Sequence, residues 1–75
     1  MNLNEFIAAF AAEFDETDEG LFMATTKFKS LPEWSSLTAL SIIAMIDDQM
    51  EKTVTGADIR ASETIEDLYN LVQKK

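Results

Sequence analysis

The chain has no cysteine, so it has neither a disulfide framework nor a thiolate of its own. It has no histidine, which removes the commonest general base and the commonest metal ligand. Two glycines and one proline are too few for the many turns of a β-sandwich or barrel. Only six basic residues stand against 14 acidic ones, a net charge of −8. Such a surface repels phosphate backbones and anionic membranes, which excludes nucleic acid as a partner, and it attracts basic proteins. No run approaches the ~18 apolar residues of a membrane span, and no basic segment precedes an apolar one at the N-terminus. The expectation is a cytoplasmic protein with no membrane insertion.

What is present is enough for one folded domain, residues 1–75. The hydrophobic fraction is 47%, with five phenylalanines, which is too apolar for disorder. A chain this short buries only about 60% of its unfolded surface, so it holds one modest core and no deep enzyme cleft. With no nucleophile or metal beside its carboxylates, it is not expected to be an enzyme.

Four helices are predicted. Leu3, Phe6, Ile7, Phe10, Ala11 and Phe14 recur at helical spacing, giving a first helix from Leu3 to Phe14. Asn2 is its N-cap, and Glu5 can complete a capping box. The segment from Glu16 to Glu33 lacks periodicity and is long for a structureless loop, so Leu21, Phe22, Met23, Phe28 and Leu31 are expected to pin it to the core. Pro32 closes it by disfavouring helix at Leu31. A second helix runs from Ser36 to Glu51, with Leu37, Leu40, Ile43, Ala44 and Ile46 as its main apolar face. Ile42, Met45 and Met50 widen that face beyond one stripe. Thr55 caps a short third helix, Gly56 to Ala61. Thr64 caps the fourth, with Asp67 three residues on and Lys74 and Lys75 at the C-terminal end. The expected core is Phe6, Phe10, Phe14, Leu40, Ile43, Ile59, Ile65 and Leu68.

The feature richest in functional meaning is Trp34-Ser35-Ser36-Leu37 at the start of the second helix. A helix N-terminus carries unpaired N–H groups and a partial positive charge, so it welcomes an anion. From spacing alone, a serine before an apolar run reads as an N-cap. Trp34 reads as a packing residue near the helix start, with a partner hot spot as the other reading. Asp47, Asp48 and Glu51 make the far end of the second helix acidic, against the helix dipole. They read as a docking patch for basic partners or as a solvated end. Asp15 to Gly20 resembles the start of a calcium loop, but the twelfth position is Thr26 instead of a bidentate glutamate, so a solvated loop suffices. Met50 reads as core filling, and Met45 as either core or adaptable surface.

These residues resemble the acyl carrier protein, or phosphopantetheine-binding carrier, family. That family is an all-α four-helix bundle with a short third helix and a long first loop. The resemblance runs from Leu3 to Val72. It rests on Trp34-Ser35-Ser36-Leu37, on Thr64-Ile65-Glu66-Asp67-Leu68 opening the last helix, and on Asp47 and Asp48 closing the second. It implies that Ser36 carries covalent 4'-phosphopantetheine, whose thiol holds an acyl group as a thioester for fatty-acid, polyketide or related biosynthesis. It implies a partner surface of Leu37, Ser41, Met45, Asp47, Asp48 and Glu51. The implied partners are a phosphopantetheinyl transferase, an acyl-loading enzyme, and condensing or acyl-transfer enzymes with basic patches. The chain departs from the family at Ser35, where the family has Asp, and at Thr38 and Ser41, where carboxylates are common. Ser35 supports a second reading, an unmodified helical adaptor of the same fold. Starting at Met1 with no linker composition, the chain is expected to stand alone as a monomer.

Overall fold

The computed structural model describes all residues, 1–75. The elements are α1 (Leu3–Ala11), α2 (Ser36–Met50), α3 (Gly56–Ala61) and α4 (Ile65–Gln73), with 3₁₀ turns at Glu19–Leu21 and Phe28–Ser30 and no strand. None of the helices is long and apolar enough to cross a membrane.

The helix starts follow from local chemistry. Asn2 Oδ1 accepts from the Glu5 N–H at 2.8 Å, and Glu5 Oε1 accepts from the Asn2 N–H at 2.9 Å, closing the capping box of α1. Thr55 with Asp58 and Thr64 with Asp67 do the same for α3 and α4. The next two amides of α4 also find acceptors. The Ile65 N–H donates to Thr26 O at 3.2 Å and the Glu66 N–H to Ala24 O at 3.0 Å. The first loop thus satisfies donors that a helix end would leave open.

α1 ends at Ala11, three residues before the expected Phe14. The Glu13 and Phe14 amides bond back to Phe10 and Ala11, a tightening that ends the helix yet still delivers Phe14 to the core. In the first loop, Phe22 and Phe28 are buried and Leu31 is half-buried. Leu21 and Met23, expected to pin the loop, are 55% and 58% exposed. The loop needs few anchors because Phe22 and Phe28 each supply a whole ring. Leu31 is extended at φ −67° and ψ 138°, as Pro32 requires.

α1 packs on α4 and α2, and α3 packs on α4. Phe10 is the centre of an aromatic cluster, with ring centroids 5.3 Å from Phe28, 5.6 Å from Phe14 and 6.2 Å from both Phe6 and Phe22. Aromatic pairs at such distances contribute about 0.5–1.5 kcal/mol beyond burial. Trp34 extends the cluster to the start of α2, edge-on to Phe28 at 5.0 Å and stacked on Phe14 at 6.3 Å.

Phe6, Phe10, Phe14, Ile59, Ile65 and Leu68 are buried as expected. Leu40 is 61% exposed and Ile43 only partly buried. The face of α2 that enters the core is Ile42, Met45 and Ile46, with Met50 packed at its edge. The expected face was therefore rotated. α2 is apolar around most of its circumference, so spacing alone does not choose a side. Val54, outside every helix, is a further core residue that periodicity missed.

Candidate functional site

Ser35 and Ser36 have different surroundings. Ser35 is extended at φ −156° and ψ 176°, the backbone of an N-cap, and its Oγ accepts from the Thr38 N–H at 3.3 Å. The Thr38 hydroxyl donates to Glu33 O at 3.0 Å. Its one proton is then spent, so across the 3.2 Å between the two hydroxyls Ser35 donates to Thr38. The Ser35 hydroxyl is therefore committed to the helix start. Ser36 is the first helical residue and is exposed. The Ser36 and Leu37 amides, at the positive end of a 15-residue helix, donate to no protein acceptor.

A groove of about 370 Å³ opens beside Ser36, between the start of α2, the Phe28–Ser30 turn and α3. Trp34, Ala39 and Ile59 make its apolar wall, and Lys29 and Arg60 are its two cations. Lys29 Nζ donates to the Arg60 carbonyl at 2.8 Å, fastening the turn to α3. A Cβ on Gly56 would stand 3.3 Å from an Arg60 guanidinium nitrogen, so glycine leaves Arg60 room at the α3 start. Two of the chain's six basic residues thus converge beside Ser36. A larger groove of about 730 Å³ lies between α3 and α4 and shares no lining residue with the first. Asp58 and Lys75 pair across it at 2.9 Å, and Asp67 is spent on the capping box of α4. The smaller groove contains Ser36 and the larger does not, so the smaller groove is the candidate site.

The outward side of α2 is continuous. Ser36, Leu37, Leu40, Ser41, Ala44, Asp47, Asp48 and Glu51 are all exposed. At about 100° per residue they fall within one arc of about 140°. Leu37 and Leu40, at 77% and 61% exposed, form its apolar upper part, and Asp47, Asp48 and Glu51 its acidic lower part. Of the six expected partner-binding residues, Met45 alone is withdrawn. It is 4% exposed and fills the core between α2 and its neighbours. Leu40 takes its place on the surface. Once packing fixes the rotation of α2 the exchange follows, since Leu40 lies one turn from Leu37 and Ala44 and two turns from Asp47, whereas Met45 shares the buried side with Ile42 and Ile46. Lys29, Arg60 and Glu33 were not singled out by sequence, because their part in the site depends on folding of the first loop.

Glu51 closes α2 in the left-handed conformation at φ 56°, the chain's one non-glycine residue at positive φ. Glycine or asparagine is the usual occupant there. A carboxylate at that place is opposed by both backbone strain and the helix dipole. Asp18 caps its own turn, accepting from the Gly20 N–H at 2.9 Å, and Thr26 bonds within the loop to Met23 and Leu21. Those bonds give the acidic segment a purely structural account.

No protein-family model, curated protein or solved structure matches the chain.

Proposed function

We propose that the chain is an acyl carrier protein with the fold of that family, attached to 4'-phosphopantetheine through the Ser36 hydroxyl. The observation that carries this reading is the division of labour between the two serines. Ser35 caps α2, and Ser36 is left exposed at a positive helix end beside a groove with two cations and an apolar wall. The Ser35 hydroxyl performs the capping that an aspartate would perform, so the helix start tolerates the departure from the family's motif.

The residues present suit the group. Lys29, Arg60 and the free Ser36 and Leu37 amides would balance a phosphodiester charge. Trp34, Ala39 and Ile59 would shelter an aliphatic arm. When bound, the group supplies a terminal thiol that holds an acyl chain as a thioester, a chemistry for which this chain has no cysteine. The chain itself makes and breaks no bond. It provides attachment, partial shelter and a recognition surface on α2 for a transferase, a loading enzyme and acyl-transfer enzymes with basic patches.

The test is incubation of the purified protein with coenzyme A and a broad-specificity phosphopantetheinyl transferase, followed by intact-mass and peptide mapping. The expected result is one adduct on Ser36, absent from Ser36→Ala. An adduct on Ser35 would reject the assignment. Failure with every transferase, on folded protein, would leave the unmodified helical adaptor as the better reading.

A further inference from the structure

Three residues before Ser36, Glu33 joins two parts of the chain that are distant in sequence. Its Oε2 accepts from the Asp15 N–H at 2.9 Å. Its Oε1 accepts from the Glu16 N–H at 3.0 Å and from the Thr17 hydroxyl at 2.7 Å. Its backbone carbonyl accepts from the Thr38 hydroxyl, and Thr38 is the residue whose amide Ser35 caps. One residue therefore ties the turn after α1 to the first turn of α2, and Trp34, Ser35, Ser36 and Leu37 lie between Glu33 and Thr38.

The charges around this carboxylate are unfavourable. Asp15, Glu16 and Asp18 all belong to the turn it holds, and Glu16 and Asp18 line the same hollow with Leu21 and Pro32. The first turn of α2 brings no charged residue. The chain's one ion pair, Asp58 with Lys75, lies elsewhere. Glu33 is thus held by neutral donors alone, against like charges. Its three donors require an acceptor at both oxygens. A carboxamide of the same shape would set an NH₂ group against an N–H or O–H.

We propose that Glu33 is a positioning residue for Ser36, its ionised carboxylate holding the turn after α1 against the start of α2 and so fixing where the Ser36 hydroxyl is presented. The importance of that presentation rests on the reading of Ser36 as the attachment point. Protonation of Glu33, or its replacement by Gln, releases the turn and shifts the first turn of α2 while the helices persist.

The experiment is an amide NMR titration of the wild type, Glu33→Gln and Thr17→Val, combined with hydrogen exchange and transferase kinetics. In the wild type, the Ser36 and Thr38 amide signals follow the Glu33 carboxylate with a shared midpoint. In Glu33→Gln that movement disappears, the Asp15 and Glu16 amides exchange about tenfold faster, and circular dichroism stays helical. Thr17→Val removes one donor and leaves the two amide bonds. It therefore serves if the Gln variant unfolds, and it must move the Ser36 signal in the same direction by less. Loading of Ser36 should lose about three- to tenfold in kcat/KM in Glu33→Gln, with Glu33→Asp recovering part of it. Ser36 and Thr38 signals that ignore the Glu33 titration, or a Thr17→Val variant without effect on Ser36, would overturn the proposal. The NMR arms decide it even if the wild type is never modified, so failure of the carrier reading and failure of the tether are read separately.

Discussion

At the residue scale, two adjacent serines with the same side chain have separable effects. Ser35 satisfies a helix amide, and Ser36 is exposed with no hydrogen bond assigned to its hydroxyl. Replacing a capping serine by alanine costs about 0.5–2 kcal/mol. Ser35→Ala should lower stability by that amount in urea denaturation. Ser36→Ala should change it by no more than about 0.5 kcal/mol, the usual span for an exposed position. Ser35→Asp should retain the cap and add a favourable charge at the positive helix end. If Ser36→Ala proved the more damaging variant, the capping role would have been given to the wrong serine, and with it the argument for a free hydroxyl. Much of this was readable beforehand. A serine at the junction of a polar segment and an apolar run marks a helix start whatever the rest of the chain does. Which of two serines caps is decided by Thr38 and the Glu33 carbonyl, local contacts whose place is in turn held by the Glu33 side chain on the distant Asp15 to Thr17 turn.

At the element scale, helices with local signatures were placed well. Asn2 with Glu5, Thr55 with Asp58 and Thr64 with Asp67 are capping boxes formed within four residues, and α3 begins and ends where the sequence suggests. The rotation of α2 about its axis was not. With Leu37, Leu40, Ile42, Ile43, Ala44, Met45 and Ile46 in one helix, either side can serve as the core face. The choice is made by long-range packing of α2 on α1. The consequence is measurable. Ile42 and Ile46 are fully buried, so truncating either to alanine should cost about 2–5 kcal/mol, a large share of a small domain's stability. Leu40→Ala and Leu37→Ala should each stay within about 0.5 kcal/mol. Thermal or chemical denaturation of the four variants checks this. A Leu40→Ala penalty as large as that of Ile42→Ala would return Leu40 to the core and remove the apolar part of the α2 surface.

At the scale of the whole molecule, charge sets two responses. The first is to pH. Glu33 lies below its ordinary value of 4.5, chiefly through the Thr17 hydroxyl and then the Glu16 and Asp15 amides. Asp58 and Asp67 lie below 3.8, held mainly by the Thr55 and Thr64 amides of their capping boxes, with Lys75 assisting Asp58. For carboxylates lowered on folding, the unfolded chain binds protons first as pH falls. Their stabilisation is complete above the ordinary values and is lost as pH drops through the lowered ones. The melting temperature at fixed ionic strength should therefore fall as pH drops below about 4.5, and Asp67→Asn should flatten that fall. A melting temperature still climbing at pH 3 would mean that relief of repulsion within a −8 chain outweighs these bonds. The second response is to salt. The acidic end of α2 closes on the strained, dipole-opposed Glu51, and its carboxylates are exposed and continuous with Leu37 and Leu40. A basic enzyme would be steered toward this end and would bury the leucines on arrival. Steering acts on the association rate and weakens as ions screen it, whereas apolar contact acts mainly on dissociation. Transferase association should thus slow as sodium chloride rises from about 0.05 to 0.5 M, a span in which the screening length falls below about 10 Å. Asp47→Lys with Asp48→Lys should lower the association rate and its salt dependence while circular dichroism stays helical. Leu37→Ala with Leu40→Ala should instead speed dissociation at every salt concentration. Stopped-flow or surface-based kinetics separates the two rates. If the charge reversals left association unchanged, the partner would dock elsewhere, with the exposed Leu21 and Met23 of the first loop as the next surface to alter.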